Sequence, residues 1–312
     1  MSKRSKFLLK VFVSILFLLF IFNKFDFGQL AINLKSLNIK FVCLVFVVGF
    51  INNILCAWRW WYLNNKIYGI QIPFLITVKL YFMGGFFNLF LPTSIGGDVF
   101  KAQYVYKYTG KNPSSINSII IDRVTGLFIL IAFSYFGLAI AKFSQIFISQ
   151  RISTSLFTIC ILGVAVISFL MVGHKLDLLK KIPKYHIIEK LCRDIKKLWR
   201  NKRLFLFSTL ITILFQFLTI SNSYFASLAL NLDINFVYFM VIVPIVGLLT
   251  MIPISFSGSG IREASYLSFF AFLGIASEQV ILIPIILFFT LVIFGLIGGI
   301  FYLKEDFKYS ET

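Results

Sequence analysis

Two short segments carry the residues best suited to chemistry. Pro92-Thr93-Ser94-Ile95-Gly96-Gly97-Asp98-Val99-Phe100-Lys101-Ala102 and Pro253-Ile254-Ser255-Phe256-Ser257-Gly258-Ser259-Gly260-Ile261-Arg262-Glu263-Ala264 share a pattern, given a one-residue gap: Pro-x-Ser-apolar, then glycines, an apolar residue, a cation and Ala. Glycine lets backbone approach a ligand, and free amides at the start of a following helix favour anions. Gly96, Gly97 and Asp98 in one segment, and Ser257, Gly258 and Gly260 in the other, are therefore candidate cradles for a phosphate-bearing group. Lys101 and Arg262, about one turn into the helices that follow, are expected to converge on it. The competing role for the glycines is close helix packing.

A third candidate is Asp122-Arg123, set between Ile119-Ile120-Ile121 and Val124-Thr125-Gly126. Charges in such surroundings are costly unless they are paired or face a cavity. Neighbouring side chains point about 100° apart on a helix, so the two do not simply pair with each other. Asp122 is expected to reach Lys101 or Lys79, and Arg123 to reach Asp98 or a lipid phosphate; the alternative is a purely structural ion pair near the interface. Glu263 beside Arg262 poses the same question in the second half. Cys43, Cys56, Cys160 and Cys192 stand far apart with no Cys-x-x-Cys pair, and the two histidines, His174 and His186, share one basic loop. No catalytic residue, metal ligand or cofactor is assigned from this inventory.

The elements that must hold these residues follow from composition. Of 312 residues 59% are hydrophobic and only 13% charged, with 39 Phe, where a soluble chain carries roughly 25% charged residues. That describes an integral membrane protein of the all-α polytopic class. The apolar run to Phe22, with Lys10 inside it, and uncharged runs at 41–58, 124–141, 152–173, 204–230 and 279–303 are expected, with their flanking residues, to cross a hydrocarbon core about 30 Å thick, giving six full spans. The first run follows a basic N-terminus but ends in Phe22-Asn23-Lys24-Phe25-Asp26 without a small-residue cleavage site, so it is read as an uncleaved helix. Two apolar regions are broken: 72–91, which contains Lys79 and Gly84-Gly85, and 236–277, which contains Pro244, Pro253 and the Ser/Gly cluster. About eight membrane segments result.

Charge sets their orientation. The 175–203 loop holds eleven Lys/Arg against Asp177, Glu189 and Asp194, and with the basic N-terminus it is expected on the cytoplasmic side. Parity then requires 67–115 to enter and leave from inside, either as a re-entrant 72–91 or with a short returning helix around 97–109. It also requires 236–277 to enter and leave from outside, with both termini cytoplasmic. The two broken hairpins thus have opposite orientations, the pattern of an inverted-repeat transporter with its site at the breaks. The chain is one transmembrane domain, 1–312, with a first half of about 1–140, a second of about 152–303, and the 175–203 loop lying as an amphipathic segment on anionic lipid. The net charge of +18 falls in short blocks between apolar runs, which fits membrane lipids, anionic phospholipid above all, and not nucleic acid.

Asn88 to Lys101, Ile121-Asp122-Arg123-Val124-Thr125-Gly126, and Gly258-Ser259-Gly260-Ile261-Arg262-Glu263-Ala264 together resemble the lysylphosphatidylglycerol synthase transmembrane-region family, also described as flippase-like membrane proteins. The resemblance covers nearly the whole chain. It implies an eight-segment bundle, often homo-oligomeric, that binds or translocates modified phospholipids. Two-part members of the family add a soluble domain that moves an aminoacyl group from tRNA to phosphatidylglycerol. Nine residues follow position 303, too few for that domain, so synthase activity is not expected here. Ser257-Gly258-Ser259-Gly260 departs from the more glycine-rich turn common in the family.

Three functions compete. The first is a flippase for an anionic phospholipid or lipid-linked substrate in the cytoplasmic membrane, without covalent chemistry; the chain has no nucleotide-binding P-loop motif to supply energy. The second is a membrane subunit that recruits a separate soluble synthase through the basic loop. The third is an intramembrane transferase with Asp98, Asp122 or Glu263 as base, so enzyme activity stays open while transport is favoured.

Overall fold

The computed structural model describes residues 35–90, 96–109, 112–150, 152–154, 158, 193, 200–250, 258 and 260–304. The described elements are helices: α1 (Ile39–Ile67), α2 (Phe74–Phe90), α3 (Gly96–Thr109), α4 (Asn112–Phe143), α5 (Lys202–Ala229), α6 (Phe236–Thr250), α7 (Ile261–Phe270), α8 (Ser277–Val280) and α9 (Leu282–Lys304). Among the described residues four stretches are long and apolar enough to cross a membrane: α1, Thr125–Phe143 of α4, α5, and α8 with α9. Phe74–Leu89 and Phe236–Thr250 are shorter apolar helices. The protein is thus an all-α, multi-pass membrane protein. The runs to Phe22 and at 152–173 lie wholly or largely outside the described residues.

Local chemistry sets the helix limits. Asn201 caps α5 by accepting the Leu204 N–H at 3.1 Å, which satisfies one of the amides a helix start leaves without a partner. At the other end of the same helix, the Ala229 carbonyl accepts the Asn38 N–H at 2.8 Å, and Asn38 is the cap of α1. The two long helices therefore run antiparallel and pack along their lengths. α1 stops where Gly69, at φ 60°, turns the chain toward Pro73 and the start of α2.

Two helix crossings depend on glycine. On α9, a methyl group at Gly298 would overlap the Phe82 carbonyl of α2, and one at Gly299 would meet the Phe86 ring. A methyl group at Gly97 of α3 would likewise overlap the Gly84 carbonyl of α2. Without a hydrophobic driving force between helices in lipid, such backbone contact is a main source of association. It clamps α2 between α3 and α9. Around this clamp Trp60, Ile70, Leu80, Met83 and Val105 form one buried core. Phe239, Tyr266, Phe270, Ile220 and Ile283 anchor a second, built from α5 to α9.

Candidate functional site

The break between α2 and α3 places Asp98 in the first turn of a helix, where the aligned peptide dipoles favour a negative charge. Asp98 is almost fully buried and divides its two oxygens between two cations. Its Oδ1 lies 2.7 Å from Lys101 Nζ, one turn along α3. Its Oδ2 accepts from Arg123 Nε at 2.9 Å and Nη2 at 2.6 Å. Lys101 is held from the far side by the Tyr81 ring, whose centroid lies 3.9 Å from Nζ, and by Trp60 at 5.4 Å. Trp60 is itself fixed by donating its indole N–H to Ser118 Oγ of α4 at 3.0 Å.

A second ion pair abuts the first. Arg59 Nε lies 2.5 Å from Asp122 Oδ1, with both side chains buried. The rest of the guanidinium donates to Thr212 Oγ1 of α5 at 2.8 Å and to the Asp122 carbonyl at 3.4 Å. Helix geometry explains the division of labour: Asp122 and Arg123 project to different sides of α4, so one reaches α1 and the other α3. Three cations, Arg59, Lys101 and Arg123, face two carboxylates, Asp98 and Asp122. The cluster carries one excess positive charge. Arg59, Asp98, Lys101 and Asp122 are buried, whereas the Arg123 side chain is 44% exposed, so the surplus charge opens outward there.

The expected Arg123–Asp98 pair is present, while Asp122 takes Arg59 instead of Lys101 or Lys79. Lys101 is already committed to Asp98. The free amides expected at the α3 start are also partly used, because Asn88 Oδ1 accepts the Gly97 N–H at 2.7 Å. Arg59, Trp60, Tyr81, Asn88 and Thr212 were not picked out as site residues by the sequence. Arg59 stands in Trp58-Arg59-Trp60-Trp61, a pattern typical of an interfacial anchor. The usable signal was a cation more than one turn inside an apolar helix that continues to Ile67.

In the second half, Gly260 takes φ 86° and begins α7, a conformation that would strain a side chain. Glu263 Oε2 accepts the Gly260 N–H, so this acid serves as its own helix's cap. Arg262 is half-buried beside Gly258, which packs on Thr250 at the end of α6. Among the described residues Arg262 forms no ion pair or hydrogen bond. Ser257 lies outside them. Lys101 lies against Trp60, Tyr81 and Asp98, and Arg262 beside Gly258; α3 packs mainly on α2 and α4, and α7 mainly on α6, with smaller contacts to α8 and α9. The described contacts therefore gather Gly97, Asp98, Lys101, Asp122 and Arg123 into one cluster and leave Gly258, Gly260, Arg262 and Glu263 as another.

The lysylphosphatidylglycerol synthase transmembrane-region family model matches residues 7–299. A UPF0104 membrane protein of Methanocaldococcus jannaschii is 27% identical over 229 residues, covering 70% of this chain and 94% of the relative. With the family model spanning both glycine breaks and the ion pairs between them, the chain belongs to the lysylphosphatidylglycerol synthase transmembrane-region family.

Proposed function

We propose that the protein binds an anionic phospholipid, or another lipid-linked substrate with an anionic headgroup, and moves it across the cytoplasmic membrane. The observation that supports this most directly is the charge of the α1–α3–α4 cluster: three cations to two carboxylates, with the surplus on the half-open Arg123. Buried charge in a membrane protein is retained where it serves a pathway or binds a ligand, and the Arg123 guanidinium, half-exposed and with N–H groups beyond the two given to Asp98, suits a phosphodiester oxygen. Arg262, free of ion pairs among the described residues and next to a positive-φ glycine turn, offers a second anion contact. In this proposal the whole chain is one transmembrane domain of two inverted halves, with both termini and the 175–203 segment facing the cytoplasm.

The test is reconstitution into phosphatidylcholine vesicles containing phosphatidylglycerol and a trace of its fluorescent headgroup-proximal analogue. Wild-type protein should expose inner-leaflet probe to an external quencher, and Arg123→Gln should slow this about tenfold or more. No movement of probe beyond protein-free vesicles would refute the transport reading.

A further inference from the structure

From Ser208 onward one face of α5 is rich in polar side chains although it is buried. Ser208, Thr212, Gln216, Asn222, Ser223 and Ser227 are all at most 9% exposed, and half-buried Thr219 lies among them. At 100° per residue these seven fall within an arc of about 140°, and at 1.5 Å rise they extend about 28 Å, close to the thickness of the hydrocarbon core. The opposite face carries exposed Leu206, Leu210, Leu214 and Phe217. A spanning helix that only needed anchoring would use one or two such residues as interhelical glue. Here seven polar side chains share the face, with half-buried Phe215 and buried Ala226 among them.

Its partners come from three other helices. Arg59 donates to Thr212, Gln216 Nε2 to the Gly126 carbonyl at 3.3 Å, Asn52 Nδ2 to Thr219 Oγ1 at 3.1 Å, and Tyr266 Oη to Ser223 Oγ at 3.0 Å. Between Thr212, at the Arg59–Asp122 pair, and Ser223, at Tyr266 one turn along α7 from Arg262, the row covers about 16–17 Å, and it continues beyond both contacts to Ser208 and Ser227. Ser208 Oγ and Asn222 Oδ1 on the row, and Asn52 Oδ1 facing it, are buried without a hydrogen-bond partner. A buried polar atom with no partner costs about 1–3 kcal/mol, so helix gluing leaves these three unexplained.

We propose that this face of α5 is the track along which the polar headgroup passes between the two cation sites, the α1–α3–α4 cluster at one end and Arg262 at the other. The inference rests on the lipid-transport reading. In the described arrangement α1 and α4 lie against the track, Tyr266 of α7 is bonded near its far end, and hydrogen bonds hold it closed, the one from Arg59 charged and the other three neutral. When they part, the hydroxyl groups, Ser208 Oγ among them, and the amide N–H groups are available to headgroup oxygens, while Asn52 Oδ1 and Asn222 Oδ1 can accept from headgroup hydroxyls or water.

Two measurements on full-length protein in phosphatidylcholine–phosphatidylglycerol vesicles test the track. In the first, Thr219→Leu and Ser223→Leu should slow movement of fluorescent phosphatidylglycerol at least tenfold. Leu214→Phe on the lipid-facing side should leave it unchanged. In the second, single cysteines replace Ser208, Thr219 or Ser223, or Leu210, Leu214 or Phe217, in a background without the four native cysteines. The anionic reagent 2-sulfonatoethyl methanethiosulfonate should label the first three at least tenfold faster than the others. If wild type moves the lipid and both leucine variants move it as fast, or if labelling shows no preference for the polar face, the track is overturned while the transport function stands. If wild type moves no lipid, the transport function fails, and headgroup passage along α5 with it.

Discussion

Asp122 and Arg123 are adjacent in sequence and opposite in consequence. Asp122→Asn leaves Arg59 buried without its counter-charge, which costs about 3–5 kcal/mol and should appear as a large drop in melting temperature. The double substitution Asp122→Leu/Arg59→Met should recover much of that stability, because two apolar side chains leave no stranded charge. Arg123→Gln should do the reverse: little loss of thermal stability, since its side chain is 44% exposed, and a loss of anionic-lipid retention of about tenfold, or 1.4 kcal/mol. Equal destabilisation by Asp122→Asn and Arg123→Gln would contradict this division. The Asp98–Arg123 pair was legible in the sequence because each residue had few alternatives of opposite sign within reach. The Arg59–Asp122 pair was not, because tryptophans on both sides of Arg59 imitate a membrane-surface anchor and the pairing spans 63 positions of chain. Lys101 was recognised as a functional cation, yet its commitment to Asp98 at i,i+3 turns on a side-chain choice between a neighbour and a ligand that spacing alone does not determine.

At the scale of elements, the short returning helix around 97–109 is found as α3, Gly96–Thr109, and the broken second region holds α6 and α7 as separate helices, although Pro244, expected to interrupt it, lies inside α6. Helix ends were less legible. The span expected at 41–58 continues as α1 to Ile67, because Arg59 and Asn64 are buried against neighbouring helices and do not mark a boundary with water. Of the two roles that the sequence left open for the glycines, close helix packing is found at Gly97, Gly298 and Gly299, and substitution tests it. Gly298→Ala should destabilise the bundle by about 1–3 kcal/mol, because the added methyl meets the Phe82 backbone, which cannot swing aside as a side chain would. Gly85→Ala, with open space around its Cβ position, should leave the melting temperature unchanged or raise it slightly. Thermal unfolding in one detergent compares the two directly, and equal effects would remove the α2–α9 backbone contact from the account.

For the whole molecule, composition alone established the membrane class, and the three motifs in order led to the family that the chain belongs to. Expected convergence of Lys101 and Arg262 depended on how two distant hairpins pack, which a short repeat does not encode; the described contacts give each cation its own surroundings. Binding at two separate cation sites should therefore be nearly additive in a Lys101→Gln/Arg262→Gln double-mutant cycle, whereas a shared phosphate would couple them by roughly 0.5–3 kcal/mol. The proposed orientation has its own check: an impermeant thiol reagent applied outside intact cells should not label cysteines placed at Lys111 or Lys308, and strong labelling of either would reverse the hairpin assignment. The central claim, that a net-positive buried cluster selects an anionic lipid, is tested most directly by native mass spectrometry of lipids retained from an equimolar phosphatidylglycerol–phosphatidylcholine mixture. Wild-type protein should retain phosphatidylglycerol at least tenfold in excess, and Arg123→Gln, folded to the same melting temperature, should lose most of that preference. Equal retention of the two lipids by wild type, or an undiminished preference in Arg123→Gln, would contradict it.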